Sequence, residues 1–249
     1  MKLSTVILTH NSEKTLAMSI ESVYMADEII VLDDASEDGT KTLAKKLKAT
    51  VIERKVDGDF AKQRNYGINQ TKGDWILFLD SDEVLSPELK KEIGGVVASA
   101  PHSPIDAYYL KRRDIFWGRE LRFGETHSVR TKGIIRLVKK NSGVWKGLVH
   151  ERFTTSHKTS TLAGFIEHHP HADIMGFLRK INHYSTLRAE ELREQGKKFS
   201  LMEIVFLPPL KFVYTYVIKL GFLDGAAGFT YAFMMSFHSF LVRAKLMNL

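Results

Sequence analysis

The stretch Trp75-Ile76-Leu77-Phe78-Leu79-Asp80-Ser81-Asp82 decides the fold of this chain. Its apolar run predicts a buried strand, because it is too short for a typical helix and rich in bulky side chains. Two carboxylates one residue apart follow at the carboxyl end of that strand, where open α/β sheets bind ligands. Since neighbouring like charges repel, the pair needs a cation or hydrogen-bond donors. A divalent metal ion that bridges to a phosphate would meet that need.

The residues around this stretch alternate between strand and helix signals. Further strands are predicted over 3–8, 28–32 and 50–52. The first helix is predicted from a cap at Asn11 or Ser12 to Tyr24. Other helices are predicted to begin at Asp38-Gly39-Thr40, to cover 60–69, and to begin at Ser86-Pro87. Such alternation predicts an α/β fold whose parallel sheet is covered on both faces.

The pattern changes beyond residue 100. Strands are predicted over 108–115, 134–139 and 162–167, and a charged helix over 173–198. The sequence therefore divides into residues 1–100, residues 101–172 and a helical, amphipathic region over 173–249.

The composition is basic and contains no cysteine. The formal net charge of +7 over 249 residues suggests phosphorylated substrates, a membrane surface or nucleic acid as partners. The lack of cysteine excludes disulfides and thiolate metal sites and fits a reducing compartment. The N-terminal residues show no signal-peptide pattern.

Polar side chains stand at other strand ends of the same predicted sheet. Thr9-His10-Asn11 follows the first strand, the run from Asp33 to Thr40 follows the second, and Lys62 and Arg64 lie on the helix before the Asp80 strand. Loops at the carboxyl ends of a doubly wound sheet converge on one crevice. There, carboxylates can bind a base and ribose hydroxyls, while Lys62 and Arg64 can meet phosphate or base oxygens.

The ordered set Ile7–Asn11, Leu32–Thr40, Arg64-Asn65 and Leu79–Asp82 resembles the signature of family 2 glycosyltransferases with the GT-A fold. The match covers about the first hundred residues. This resemblance implies a nucleotide-sugar donor and a Mn²⁺ or Mg²⁺ ion. By this resemblance Thr9, Asn11, Asp34 and Arg64 bind the nucleoside, with Asp33 and Lys62 nearby. Asp80 contacts the ribose, with Ser81 beside it. Asp82 binds the metal.

The segment from Trp145 to Glu151 resembles a His-Glu motif found in a subset of family 2, including lipopolysaccharide core glucosyltransferases. By this resemblance Glu151 is the general base and His150 contacts the metal or a phosphate. Asp114 and Glu125 are alternative bases. Glu83, beside Asp82, could instead order the metal site. A Gln-x-x-Arg-Trp motif is absent, which favours transfer of single sugars over polymer synthesis.

The run His168-His169-Pro170-His171 looks like a metal cluster. A proline interrupts it, and no helical spacing brings the imidazoles to one face, so the sequence argues against metal binding here. A contact to the acceptor stays open.

The apolar segment between Lys219 and Arg243 is long enough to be considered as a membrane span. A helical projection places Phe222, Ala226, Phe229, Phe233, Phe237 and Phe240 on one stripe, opposite Asp224, Tyr231 and His238. An amphipathic helix, either in a membrane interface or packed on the protein itself, is therefore favoured over a span. Nearby basic residues could face anionic lipid: Arg179, Lys180, Lys197, Lys198, Lys211 and Lys219.

The predicted function is that of an inverting, metal-dependent hexosyltransferase that is bound peripherally to the cytoplasmic face of the cell membrane. Residues 1–100 are expected to bind a nucleotide sugar in the UDP form, and residues 101–172 a glycan or glycolipid acceptor such as lipopolysaccharide core. No nucleic-acid partner is expected. The alternatives are a nucleotidyltransferase acting on a sugar phosphate and a non-enzymatic, basic membrane-surface module. A Rossmann dehydrogenase is disfavoured, because no G-x-G-x-x-G follows any strand.

Overall fold

The computed structural model describes residues 1–99, 103–147, 151–170 and 173–247. The chain forms two compact units, one of Met1–Arg112 with Thr131–His168 and one of Arg113–Arg130 with His169–Leu249. The division into 1–100, 101–172 and 173–249 did not foresee that Arg113–Arg130 groups with the C-terminal helices.

The first unit is built on a mixed sheet. Its elements are β1 (Leu3–Thr9), α1 (Leu16–Ser22), β2 (Glu28–Asp33), α2 (Thr40–Lys46), β3 (Thr50–Glu53), α3 (Phe60–Gln70), β4 (Trp75–Asp80), β5 (Glu83–Leu85), α4 (Pro87–Ser99), β6 (Ile105–Phe116, whose last residues belong to the second unit), β8 (Ile134–Lys139), β9 (Val144–Lys146), β10 (Arg152–Thr154) and β11 (Lys158–His168). The strand order is β3-β2-β1-β4-β8-β6-β11-β5, and β9 and β10 form a separate hairpin. The first four strands are parallel, as the sequence predicts, whereas β8 joins β4 in the antiparallel direction.

Strand β4 lies at the centre of this unit and is buried from Trp75 to Leu79. Leu77 and Leu79 belong to one apolar cluster, together with Leu16 of α1. Ile76 and Phe78 belong to another, together with Ala61 of α3. Because side chains alternate across a strand, a strand covered on both faces must be apolar throughout.

Helix α1 begins later than the sequence suggests. It starts at Leu16, and the predicted cap at Asn11 or Ser12 is wrong. Asn11 instead adopts a left-handed backbone with φ of 47°, and its Oδ1 accepts a hydrogen bond from the backbone N–H of Glu37. Asparagine tolerates this conformation well, so it joins two loops rather than beginning a helix.

The second unit is mainly helical. It contains the end of β6, β7 (Arg119–Leu121), α5 (His127–Thr131, which ends at the unit boundary), α6 (Ile174–Glu194), α7 (Leu201–Val213), a π-helical turn (Tyr214–Ile218), a 3-10 turn (Gly221–Asp224) and α8 (Gly225–Lys245). Its core is formed by Phe116, Leu121, Phe177, Ile181, Ala227 and Met234.

The aromatic side chains that the projection places on one stripe of α8 lie in different environments. Phe237 packs against the core of the second unit, and so does Tyr231, which the projection had placed on the opposite face. Phe229 and Phe233 remain about half exposed. The single stripe is wrong because α6 and α7 both pack along α8, so the helix has more than one buried face.

Within the part of the chain that the structure describes, one helical segment is long and apolar enough to cross a membrane by length and composition. It is Leu201–Ile218, and only 11% of it is buried. This segment differs from the one between Lys219 and Arg243, which the sequence offers as a candidate by length.

Candidate active site

The carboxyl ends of β1, β2 and β4 lie side by side. In the parallel register Thr9 is opposite Asp33, and Leu8 is opposite Asp80. The sheet therefore brings together Thr9, Asp33 and Asp80, which the sequence places at three separate strand ends.

Thr9 and Asp33 contain buried polar atoms without a hydrogen-bond partner among the described residues. Asp33 is fully buried, and its Oδ2 accepts from the backbone N–H of Ser36 at 2.9 Å. Asp33 Oδ1 and Thr9 Oγ1 have no hydrogen-bond partner in the part of the chain that the structure describes. Buried polar groups are nearly always hydrogen-bonded, so two such atoms on paired residues indicate a place for a polar ligand.

Asp34 and Asn11 hold the surrounding loops. Asp34 Oδ1 accepts from the backbone N–H of Val56 at 2.9 Å, and its own N–H donates to the Thr9 carbonyl at 2.9 Å. The backbone N–H of Asn11 donates to Ser36 Oγ at 2.9 Å. These contacts fix the loops after β1 and β2 against one another.

Ser81 and Lys62 lie in different surroundings. Ser81 is buried, and its Oγ shares a hydrogen bond of 2.7 Å with Ser12 Oγ, which ties the loop after β4 to the loop after β1. Lys62 is exposed on α3, where it lines a shallow pocket with Asn65 and Trp145.

Arg64 joins two acids that are far apart in sequence. Its Nη2 donates to Asp80 Oδ1 at 2.7 Å, and its Nε donates to Glu151 Oε1 at 2.8 Å. The guanidinium is almost fully buried and lies 4.9 Å from the centre of the Trp145 ring. An aromatic face can stabilise a cation at this distance. Glu151 thus belongs to the same charged cluster as Asp80.

Arg136 of β8 is the partner of Asp80 that the sequence analysis missed. Its Nη2 lies 2.8 Å from Asp80 Oδ2 and 3.4 Å from Glu83 Oε1. Glu83 is fully buried, and its Oε2 accepts from the backbone N–H of Asp80 at 3.0 Å. Arg112 Nη1 lies 3.5 Å from the same oxygen, Glu83 Oε1. A single arginine within the apolar strand 134–138 is the signal that could have revealed this role.

These contacts fix the charge state of Asp80. Burial alone would raise the pKa of its carboxyl, but the charges of Arg136 and Arg64 outweigh burial and hold the pKa well below its ordinary value. For Arg136, burial would lower the pKa, yet Asp80 and Glu83 raise it above its usual range. Arginines thus pair with Asp80, Glu83 and Glu151, and the carboxyl of Asp80 stays ionised at neutral pH.

Asp82 lies beside a histidine that the sequence analysis had set aside. His168 Nε2 is 3.5 Å from Asp82 Oδ1, and both side chains are largely buried. The antiparallel pairing of β11 with β5 places His168 opposite Glu83, which explains this proximity. His171 lies outside the described residues.

The described residues offer only part of a metal site. Among them, no group of three or more histidine, aspartate or glutamate side chains is close enough to hold a metal ion. A magnesium ion, however, is commonly held by one or two protein ligands and completed by substrate phosphates and water. The Asp82–His168 pair fits such a site, since it offers one carboxylate and one imidazole. Asp80 fits it less well, because both of its oxygens are bound by arginines.

The remaining predicted residues are distributed as follows. His150, predicted at the metal or a phosphate, lies outside the described residues. Asp114, an alternative base, is buried in the second unit. Glu125, the other alternative, is ion-paired with Lys211 in that unit.

Comparisons with known proteins define the family. The family model of glycosyl transferase family 2 matches residues 4–182. An uncharacterized glycosyltransferase of Rickettsia typhi is 31% identical over 264 residues, covering 100% of this chain and 87% of that protein. The lipopolysaccharide core biosynthesis glycosyltransferase LpsC of Rhizobium meliloti is 26% identical over 266 residues, covering 99% of this chain and 92% of that protein.

The fold agrees with this sequence similarity. The crystal structure of S. aureus TarS 1-349 in complex with UDP matches with a TM-score of 0.51 and 16% identity, over 100% of this chain and 92% of that one. The chain is a mixed α/β enzyme of the GT-A type and belongs to glycosyl transferase family 2. This membership rules against the nucleotidyltransferase and the non-enzymatic module considered above.

Proposed function

We propose that this enzyme is an inverting, metal-dependent hexosyltransferase that moves one sugar from a UDP-sugar to a glycan or glycolipid such as lipopolysaccharide core. It would work on the cytoplasmic face of the cell membrane. The observation that carries the proposal is the cluster at the carboxyl edge of the sheet, in which Arg64 joins Asp80 to Glu151. Similarity to LpsC supports the acceptor class, and the fold shared with UDP-bound TarS supports the donor class.

The donor would lie across the ends of β1, β2 and β4. The partnerless Thr9 Oγ1 and Asp33 Oδ1 are available to the nucleoside, with Asp34 and Asn11 at the rim of the site. Asp80, held by two arginines, would accept from the ribose hydroxyls. Lys62, which is exposed on α3, would meet a phosphate of the donor.

Asp82 and His168 would hold the Mn²⁺ or Mg²⁺ ion, with His150 as a further contact. When bound, such an ion acts as a Lewis acid that offsets the charge developing on the departing diphosphate. The residues of the chain would supply the position and the charge of the site, with Glu83 fixing the backbone of Asp80.

Glu151 would act as the general base. As the acceptor oxygen forms a bond to the anomeric carbon, its proton passes to Glu151, and the bond between that carbon and the diphosphate oxygen breaks. Arg64 Nε donates to Glu151 Oε1 at 2.8 Å, which orients the carboxylate, and Oε2 would take the proton of the acceptor hydroxyl.

A panel of UDP-, GDP- and dTDP-hexoses, assayed for hydrolysis with Mn²⁺, tests the donor class. We expect slow hydrolysis of a UDP-hexose, and its loss when the metal is chelated. Consumption of a nucleoside triphosphate with a sugar phosphate, and no nucleotide-sugar hydrolysis, would overturn the proposal.

Replacement of Glu151 by Gln tests the base. We expect kcat for sugar transfer to fall by about 100-fold or more, because general-base catalysis contributes about 10²–10⁴ to the rate. The KM for the donor should change little. Transfer is measured as release of UDP in the presence of a lipopolysaccharide-core acceptor, and exposed Glu21→Gln is the control. Unchanged kcat in Glu151→Gln would assign the base elsewhere.

A further inference from the structure

The outer side of α7 and of the turns that follow it exposes a continuous series of large apolar side chains. We call this series the α7 surface. It consists of Leu201, Met202, Val205, Phe206, Leu210, Val213, Tyr214, Val217, Ile218, Leu220, Phe222 and Leu223, each 44–66% exposed. Most of the exposed large apolar side chains in the described residues lie in this C-terminal part of the chain. Contiguous apolar patches on this scale mark protein or membrane interaction sites.

The opposite side of α7 is already packed within the second unit. Pro208 is buried, and its carbonyl accepts a hydrogen bond from Ser236 Oγ of α8 at 2.7 Å. Phe212 packs edge-to-face on Phe229, with ring centroids 5.6 Å apart. The helix is thus held in place by its inner side, and its outer apolar side is not needed for that packing.

Basic residues accompany the α7 surface. Lys197 and Lys198 precede α7, and Lys211 and Lys219 lie within the segment. The acids of the same stretch are Glu203 and Asp224, and both are engaged: Glu203 pairs with Lys197 at 2.6 Å, and Asp224 Oδ2 accepts two backbone N–H groups at 2.9 and 3.0 Å. Because Lys197 is offset by Glu203 and Lys211 by Glu125, the positive charge that remains beside the surface comes from Lys198 and Lys219.

We propose that the α7 surface inserts into the interface of an anionic lipid bilayer. Large apolar side chains bordered by lysine are the composition of interfacial helices, which bury their apolar side about 5–10 Å deep. Lysines beside an anionic surface strengthen such binding electrostatically, and salt screens their contribution. A second copy of this chain fits less well, because it would bring the same positive border against itself. The inference concerns the second unit alone and does not depend on the transfer reaction proposed above.

The structure favours lying in the interface over crossing the bilayer. Leu201–Ile218 has 18 residues and would be about 27 Å long as a helix, close to the roughly 30 Å of the hydrocarbon core. Its middle, however, holds Lys211 in an ion pair with Glu125, and Ser236 bonds to Pro208 there. If this segment crossed the bilayer, the ion pair and the loop that holds Glu125 would lie at the centre of the bilayer, where charges are costly.

Flotation with vesicles tests the surface. The full chain is mixed with phosphatidylcholine vesicles containing either no or one quarter phosphatidylglycerol. We expect binding to the anionic vesicles that decreases at high salt, and at least a tenfold smaller bound fraction for the double variant Leu210→Glu, Ile218→Glu. The matched control is Met18→Glu, Tyr24→Glu, two exposed apolar positions of the first unit. Circular dichroism checks that both variants are folded.

A cysteine label reports depth, because the natural chain has no cysteine. A polarity-sensitive dye on Leu210→Cys should shift to an apolar environment on anionic vesicles, whereas the same dye on Met18→Cys should not. Equal loss of binding in the control variant would overturn the proposal, and so would no binding at all. Retention on vesicles after an alkaline carbonate wash would identify a span instead. A third outcome is that the chain forms dimers without lipid, that only the variant Leu210→Glu, Ile218→Glu is monomeric, and that no variant binds vesicles. This outcome would identify a second copy of the chain as the occupant.

Discussion

Asp82→Asn is expected to lower sugar transfer by about a thousandfold while leaving the protein folded. In the proposed site the carboxylate of Asp82 lies 3.5 Å from His168 Nε2, and the amide would be a much weaker ligand for a divalent ion. A Lewis-acid metal contributes several kcal/mol to transition-state stabilisation, and each 1.36 kcal/mol is tenfold in rate. The estimate follows from losing most of that contribution.

The measurement is kcat/KM for UDP release across a Mn²⁺ titration, with the thermal midpoint as a check on folding. The apparent affinity for Mn²⁺ should fall together with the rate. Asp57→Asn is the control, since Asp57 is exposed and has a left-handed backbone that asparagine also adopts. Wild-type activity in Asp82→Asn, or wild-type activity after chelation, would show that the reaction does not use this metal.

Arg136→Met is expected to lower the free energy of unfolding by about 3 kcal/mol at neutral pH. The change leaves Glu83, which is fully buried, and one oxygen of Asp80 without their closest cation. Removing one partner of a buried ion pair costs about 3–5 kcal/mol. The lower end applies here because the Asp80 side chain is 33% exposed and water screens part of the effect.

The effect of Arg136→Met should depend on pH. Because the pKa of Asp80 is lowered in the folded state, the stability that it contributes is present above its unfolded pKa and is lost as the pH falls toward the folded pKa. The difference between wild type and Arg136→Met should therefore shrink below about pH 4, where Asp80 becomes protonated in the unfolded chain.

Urea unfolding at pH 7 and pH 3.5 measures both expectations. Adding Asp80→Asn to Arg136→Met should cost less than the sum of the two single changes, because the amide no longer needs a cation. Arg193→Met, at an exposed position of α6, is the control. Additive costs in the double variant, or an Arg136→Met cost that does not change with pH, would mean that Arg136 does not stabilise Asp80.

Much of the parallel part of the sheet could be predicted from the sequence. The strands ending at Thr9, Asp33 and Asp80 follow from short apolar runs, and their parallel order follows from the alternation with helices. Parallel neighbours end at the same edge of a sheet, so their polar residues had to lie together. The start of α1 could not be predicted in this way, because Asn11 has a tertiary role in joining two loops.

The local pattern thus follows from the sequence: a buried strand that ends in two acids, and polar loops at the ends of its parallel neighbours. The tertiary fold, in contrast, determines which charges meet. Antiparallel pairing places Arg136 beside Asp80 and His168 beside Asp82, and Arg64 reaches Glu151 across 87 residues of chain. It also decided that α7 rather than α8 carries the larger exposed apolar side. The physical reason is that side-chain periodicity reports which face of an element is buried, whereas the register of distant strands and the packing of helices on one another depend on the whole fold.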